Sequence, residues 1–147
     1  MHEKYLNPSQ ESGRDFIHRK ISGNVVMLNL LRFKENADYK ETPELSPITS
    51  ITGEMAYQLY MKHTLPFLKK AVGEILFFGK GGNFLIGPSN EIWDAVMLIR
   101  QTSVDSFISF ASHPEYLKGI GHRNAALEDS RLLPIIELEN FGIKDLL

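Results

Sequence analysis

The chain has 147 residues, of which 43% are hydrophobic and 23% charged, and its formal net charge is −2. This composition predicts one globular domain with a single core. Nucleic acids and anionic membranes attract clustered Lys and Arg, so neither partner is expected. The absence of Cys excludes disulfides, thiolate nucleophiles and Cys-ligated metal centres. A polar N-terminus without the apolar run of a signal peptide predicts a cytoplasmic location.

The first part of the chain predicts a short helix followed by a strand. Asn7 as N-cap with Pro8 in the first helical position marks the helix start, and Gly23 lies near its end. Residues 24–33, NVVMLNLLRF, form a run too short for a buried helix and are predicted as a strand. Both faces of this strand are largely apolar, so both must be covered in the folded protein.

The middle of the chain predicts a loop, a long helix and a glycine-rich hairpin. Residues 34–50 are polar and form a loop over a pocket, and residues 52–73 form an amphipathic helix. Pro66 is expected to kink this helix or to begin a second piece. Residues 74–87 read as two short strands, or as one strand and a turn, with GKGGN in the tight part.

The last third of the chain predicts two strands separated by helices. Residues 91–101 form a strand, and a helix opens at Thr102-Ser103 and is interrupted at His113-Pro114. A further helical segment is expected over residues 121–129. Residues 131–139 form the last strand, and its Pro134 indicates a sheet edge or a bulge.

The resulting order of elements predicts the fold class and an assembly. Strand, helix, strand, strand, helix and strand give a ferredoxin-like βαββαβ α+β fold, an antiparallel sheet with helices on one face. The other sheet face would leave apolar side chains in water, so a homodimer with two facing sheets is predicted. The predicted organisation is a helical extension (1–22), the α+β domain (23–140) and a C-terminal tail (141–147).

Several stretches resemble an uncharacterised bacterial family of the dimeric α+β barrel superfamily: VVMLNLLRFK (25–34), Tyr57 and Tyr60, ASHPEY (111–116) and HRNAALEDSRL (122–132). The likeness covers roughly residues 7–139 and implies the ferredoxin-like fold. Superfamily members include haem-degrading and cofactor-free monooxygenases, muconolactone isomerase-like enzymes and stress-responsive proteins. The fold does not choose among these functions.

The segment 121–134, GHRNAALEDSRLLP, concentrates the groups best suited to catalysis. His122 is the candidate for proton transfer, and Arg131 is the second catalytic candidate because it can orient an anion. Arg123 and Asp129 are assigned to substrate binding. The alternative is a helix end whose acidic side chains pair with its arginines.

The remaining candidates lie on the strands and the first long helix. Asn29 interrupts an apolar strand and needs a hydrogen-bond partner, either a ligand or a backbone group. Arg32, Asp94 and Arg100 are placed at the pocket rim, with solvated strand ends as the alternative. Tyr57 and Trp93 are further substrate-binding candidates, although such aromatic side chains more often belong to a core.

No cofactor or metal is predicted. The five His residues form no HxH, HxxxH or HExxH pattern, and GKGGNF lacks the Lys-Ser/Thr of a phosphate-binding loop. The leading hypothesis is a homodimer that binds a small anionic or carbonyl-bearing molecule, and a cofactor-free oxygenase or isomerase is the suggested reaction class. The alternatives are a non-enzymatic structural or stress-related dimer and a haem-binding monooxygenase-like protein, since haem needs one axial His.

Overall fold

A computed structural model describes residues 3–138. The predicted tail, residues 141–147, and the last residue of the predicted final strand, Glu139, lie outside this range. The elements in chain order are α1 (Gln10–His18), β1 (Val25–Phe33), a 3-10 turn (Pro43–Leu45), α2 (Gly53–Lys70), β2 (Glu74–Asn83), β3 (Ile92–Gln101), α3 (Val104–Ala111), α4 (Pro114–Leu117), α5 (Ile120–Ala126) and β4 (Leu127–Ile135).

The strands form one antiparallel sheet in the order β2-β3-β1-β4. With the helices inserted after β1 and β3, this is the ferredoxin-like βαββαβ arrangement, so the predicted fold class is confirmed. β1 and β3 occupy the centre of the sheet, and their predicted bounds differ from the observed ones by a single residue at the start. β4 is an edge strand, as Pro134 indicated.

The core lies between the helices and one sheet face. Apolar side chains at every second position of β1 and β3 meet the aromatic side of α2 and the small residues of α5, as strand and helix periodicities require. The buried members of this cluster are Leu31, Tyr39, Ala56, Tyr57, Tyr60, Ala95, Met97, Tyr116, Ala125, Ala126 and Leu127.

The opposite sheet face, here called the open face, is also apolar. Residues that pair across neighbouring strands point their side chains to the same side of the sheet. Leu98 pairs with Phe77 and with Leu28, and Leu28 also pairs with Leu133. None of the open-face residues belongs to the core cluster, and all except Val26 are partly or largely exposed. The open face consists of Val26, Leu28, Leu30, Phe77, Val96, Leu98, Leu133 and Ile135.

The first two helices differ from the prediction in local detail. The N-cap of α1 is Ser9 and not Asn7, because Ser9 and Ser12 form a reciprocal capping box. α2 runs unbroken through Pro66, so the expected second piece is absent. Proline removes one backbone hydrogen bond, and the fully buried Leu68 holds the following turn in the core.

The prediction of a glycine-rich turn within residues 74–87 is wrong. β2 is a single ten-residue strand, and Gly79, Lys80 and Gly82 pair in register with β3. The glycine pattern reflects a close backbone approach: a Cβ on Gly81 would lie 2.4 Å from the carbonyl oxygen of Trp93. The connection to β3 is made instead by residues 84–91.

The last helix is shorter than expected, and the last strand begins and ends four residues earlier than predicted. α5 ends at Ala126, and β4 begins at Leu127, so Asp129 lies on a strand and not on a helix face with His122. Leu127 is fully buried and pairs with Phe33, which fixes the start of the strand. The Asp129 carboxylate accepts a hydrogen bond from the Ser130 N–H, a local contact that competes with helix formation.

Candidate ligand-binding cleft

A cleft of about 1010 Å³ lies between α2 and the β2–β3 side of the sheet. This volume is at the upper end of the range of ordinary small-molecule sites, about 300–1,000 Å³. The loop after β1, expected to lie over a pocket, contributes Lys34 and Glu35 to its lining. The position is set by the fold, because α2 packs across the sheet at β1 and leaves a gap towards the β2 edge.

One wall of the cleft is a face of α2. Side chains four residues apart project from the same side of a helix, which places two rows along the cleft. The rows are an apolar one, Tyr57, Met61 and Leu65, and a polar one, Glu54, Gln58 and Lys62.

The other wall is formed by β2 and β3, and its polarity changes along the strands. Phe78 pairs with Met97 and, together with Ile75, makes one end apolar, whereas Lys80 and Asp94 line the other end. Residues 71–73 connect α2 directly to β2, so the apolar end of the sheet wall lies beside the Leu65 end of α2. The cleft is therefore amphipathic along its length.

Tyr57 is the aromatic residue that α2 contributes to the cleft wall. Its ring lies 5.5 Å from that of Phe33 and 5.2 Å from that of Tyr60, and the residue is 4% exposed. Burial raises the pKa of Tyr57 far above its ordinary value of 10.0, so the phenol keeps its proton. It can donate a hydrogen bond to a ligand oxygen.

Asp94 supplies a fixed carboxylate at the polar end. Its Oδ2 accepts a hydrogen bond from the Phe33 backbone N–H at 2.7 Å, just beyond the last β1–β3 pair. This contact fixes the orientation of the carboxylate relative to the end of β1. The side chain is half-buried and lines the cleft.

Charges of both signs surround the cleft in equal number. Among the described residues, no ion pair shorter than 4.0 Å engages any of them. The balance means that the mouth has no large net field, and a charged ligand would be recognised through individual contacts. The groups are Lys34, Lys62, Lys80, Glu35, Glu54 and Asp94.

His122, the predicted proton-transfer residue, lies on α5 and does not line this cleft. Its Nδ1 lies 2.7 Å from the Tyr39 hydroxyl. Burial, with a smaller contribution from His63, lowers the pKa of His122, and burial raises that of Tyr39. The phenol and the imidazole therefore share a hydrogen bond in which the histidine tautomer decides the donor.

Arg131, Asp129 and Arg123 belong to a cluster at the start of β4. Asp129 Oδ1 accepts hydrogen bonds from the N–H groups of Tyr5 and Ser130, both at 2.8 Å, and from Arg131 at 2.7 Å. Burial alone would raise the pKa of Asp129, but these donors outweigh it and lower the pKa. Arg123 donates to the Leu6 carbonyl at 2.8 Å. These groups hold the N-terminal segment against β4.

Aromatic rings complete this cluster. The Arg131 guanidinium lies 4.8 Å from the Tyr5 ring centroid and 4.9 Å from that of Trp93. Its Nη2 is also 3.8 Å from the Glu91 carboxylate. Trp93 itself is buried, and its Nε1 has no hydrogen-bond partner among residues 3–138.

The other predicted binding residues are spread over the sheet. Asn29 donates to the Met27 carbonyl at 3.2 Å, so a backbone group satisfies part of its amide. Arg32 pairs in register with Asp129, and Arg100 forms an ion pair with Glu74 at 3.2 Å. Of the residues that the sequence suggested for the site or its rim, the structure places Tyr57 and Asp94 in the cleft lining.

The cleft residues that the sequence did not reveal come mainly from β2. Phe78 and Lys80 were assigned to a hairpin, so they were not expected to face α2. Met61 and Leu65 were recognised as the apolar side of a helix, but the pattern does not distinguish a core contact from a cleft wall. The consecutive phenylalanines before GKGG were the available signal for a longer strand.

The described part of the chain contains neither a cluster of metal ligands nor a membrane-spanning helix. In residues 3–138, no three His, Asp or Glu side chains come together in a way that could hold a metal ion. No helix in this part of the chain has the length and hydropathy needed to cross a bilayer.

The fold and cleft define a two-layer α+β protein of the ferredoxin-like class. The crystal structure of RPA0582, a protein of unknown function from Rhodopseudomonas palustris, shares 31% identity with the chain at a TM-score of 0.82, over 93% of this chain and 99% of that one. Its methylated form shares 30% identity at a TM-score of 0.83, over 95% and 98%. No family model and no curated protein matches the chain.

The chain belongs to the same family as RPA0582, since the two are similar over nearly their whole lengths. The sequence resemblance predicted an uncharacterised family with the ferredoxin-like fold, and that prediction is confirmed.

Proposed function

We propose that the protein binds a small, largely apolar organic molecule with one oxygen-bearing head group in the cleft between α2 and the β2–β3 sheet. The observation that carries this proposal is the distribution of the side chains that line the cleft. They are apolar at the end that contains Leu65 and Ile75, and polar at the end that contains Lys80 and Asp94. Sites of this kind orient an apolar body with few polar contacts.

The head group lies at the polar end, where hydrogen-bond donors are available. Tyr57 remains protonated, and Lys80 carries donors on a flexible stem, so both can bind a carbonyl or carboxylate oxygen. The apolar body then covers Phe78, which is 60% exposed. Covering an exposed phenyl ring supplies a favourable free energy of about 1.5–3 kcal/mol.

An isomerase or cofactor-free oxygenase would use the same cleft, because both reactions begin with removal of a proton next to a carbonyl group. In this version Asp94 accepts the proton, and Tyr57 donates a hydrogen bond to the carbonyl oxygen. An Asp94→Asn variant should then retain binding and lose turnover. The haem alternative, which was based on one axial His, has no such ligand at this cleft, since no His of residues 3–138 lines it.

The binding test compares two substitutions on the same helix. Met61→Trp places an indole in the cleft, whereas Met55→Trp changes an α2 methionine that is 47% exposed and does not line it. Titration calorimetry with 2-naphthoate and 2-acetylnaphthalene should show affinity reduced at least about tenfold by Met61→Trp and unchanged by Met55→Trp.

The two probes also distinguish the head-group chemistry, because one is a carboxylate and the other a neutral carbonyl. Equal binding of both probes to the two variants would contradict the cleft assignment. No binding to the wild-type protein would favour the alternative of a non-enzymatic structural dimer.

We also infer that the protein is a homodimer assembled through the open face. The row Phe77, Leu98, Leu28 and Leu133 crosses all four strands, and the edge residues Phe77 and Leu133 are more than half exposed. A continuous apolar surface of this kind on an isolated subunit indicates an interface. A second copy of the same sheet supplies a complementary apolar surface and buries both.

A further inference from the structure

The connection between β2 and β3 carries an unusual apolar tip. Leu85 and Ile86 are consecutive and are 100% and 92% exposed, and the preceding Phe84 is 42% exposed. Single exposed apolar residues are ordinary, but an adjacent run at the end of a hairpin indicates a contact with another surface. Phe84–Ile86 are here called the arm.

The arm continues an edge that is itself apolar. β2 is the outer strand of the sheet, and its Phe77 and Phe78 are 54% and 60% exposed. Natural edge strands are commonly protected by charged side chains, by Pro or by a covering segment. β2 carries no Pro, and Glu74 and Lys80 are its charged residues. Phe77 belongs to the open face, so the apolar surface extends from the sheet centre towards the arm.

We propose that the arm docks on a second copy of the chain, at the rim of the open-face interface. This inference rests on the proposed homodimer and names a segment that the dimer contact requires. A standard interface buries about 800 Å² per partner. A fully buried aromatic side chain accounts for about 150–250 Å². The arm and Phe77, which belongs to the open face, therefore supply part of that area.

The charges near the arm favour a protein partner over a membrane. Segments that insert into anionic bilayers combine apolar residues with several Lys or Arg. The residues that flank the arm are Asn83 before it and Gly87, Pro88, Ser89, Asn90 and Glu91 after it, with no cation among them. Glu91 is moreover 3.8 Å from Arg131 of the same subunit.

The test uses the absence of Cys from the natural sequence. Leu85→Cys places a single thiol on the arm, and the matched control Ile48→Cys places one on the loop before α2, where Ile48 is fully exposed in the subunit. The rate of maleimide labelling is measured for both at protein concentrations where sedimentation velocity shows a dimer. The arm thiol should react at least about tenfold more slowly than the control thiol, and dilution to monomers should remove the difference.

The outcomes separate this inference from the dimer proposal. Equal labelling rates in a sample that sediments as a dimer overturn the arm contact and leave the homodimer standing. Slow labelling of Leu85→Cys in a monomeric sample overturns it as well, because another part of the same chain then covers the arm. A chain that remains monomeric at every concentration contradicts the homodimer itself and the arm contact with it.

Discussion

At the scale of single residues, the cluster at the start of β4 explains why GHRNAALEDSRLLP looks catalytic in the sequence. Its charged side chains are concentrated because they fasten the N-terminal segment to the sheet edge through Asp129. His122 points elsewhere and bonds to Tyr39. Of the two hypotheses drawn from this segment, a catalytic site or acidic side chains that pair with arginines, the second describes the contact between Asp129 and Arg131.

The buried carboxylate of Asp129 should be important for stability. Asp129→Asn replaces an anion that accepts three hydrogen bonds on Oδ1 with a neutral amide, and hydrogen bonds to charged groups contribute about 1.5–3 kcal/mol each. We expect the free energy of unfolding in urea to fall by about 2–3 kcal/mol. Glu128→Gln is the control, since its ion pair with Lys4 is at the surface and should contribute less than about 1 kcal/mol. An equal effect of both substitutions would contradict this account.

His122 should make stability sensitive to mild acid. Its pKa is lower in the folded protein than the ordinary value of 6.5, so the unfolded chain binds the proton more tightly. The free energy of unfolding should therefore decrease as the pH falls below 6.5. His122→Gln should flatten that decrease, which pH-dependent urea denaturation of both proteins measures. A wild-type stability that is constant through this range would be inconsistent with the burial of a neutral His122.

At the scale of the elements, the glycines of β2 have the sequence pattern of a turn, but they lie in a strand that packs closely against β3. Gly81→Ala would place a Cβ 2.4 Å from the Trp93 carbonyl oxygen, while the corresponding Cβ at Gly82 meets nothing within 4 Å. We expect Gly81→Ala to lower the free energy of unfolding by about 2 kcal/mol or more and Gly82→Ala to be neutral or slightly stabilising. Chemical denaturation of both variants measures the difference. Similar stabilities would contradict the close approach of β2 and β3 at this point.

The same elements show how far the sequence determines the fold. β1, β3 and the break at His113-Pro114 follow from local patterns, namely apolar runs, caps and the restriction before Pro. β2 does not, because an edge strand with glycines has the local pattern of a turn and is identified by its pairing with β3. Apart from Tyr57 and Asp94, the residues of the cleft were likewise missed. Its walls come from α2, β2 and β3, and side-chain spacing within one element does not report distances between elements.

At the scale of the whole molecule, the apolar open face should determine the assembly. Leu98→Glu introduces a charge at the centre of the face, where it would be desolvated in a dimer and remain partly hydrated in a subunit. We expect sedimentation equilibrium to show a dimer for the wild type and at least about a hundredfold weaker association for the variant. Ile48→Glu, on an exposed loop, should associate like the wild type. A wild-type monomer, or a Leu98→Glu dimer of unchanged affinity, would contradict assembly through this face.

The binding cleft can be observed directly through the methionine methyl groups. The chain has five Met residues, of which Met61 and Met97 line the cleft and Met27 and Met55 do not. A titration of protein labelled with ¹³C at the methionine methyl groups with 2-acetylnaphthalene should shift the Met61 and Met97 signals together and saturably, and leave those of Met27 and Met55 in place. Shifts confined to Met55, or saturable binding that leaves Met61 and Met97 unmoved, would contradict the assignment of this cleft as the ligand site.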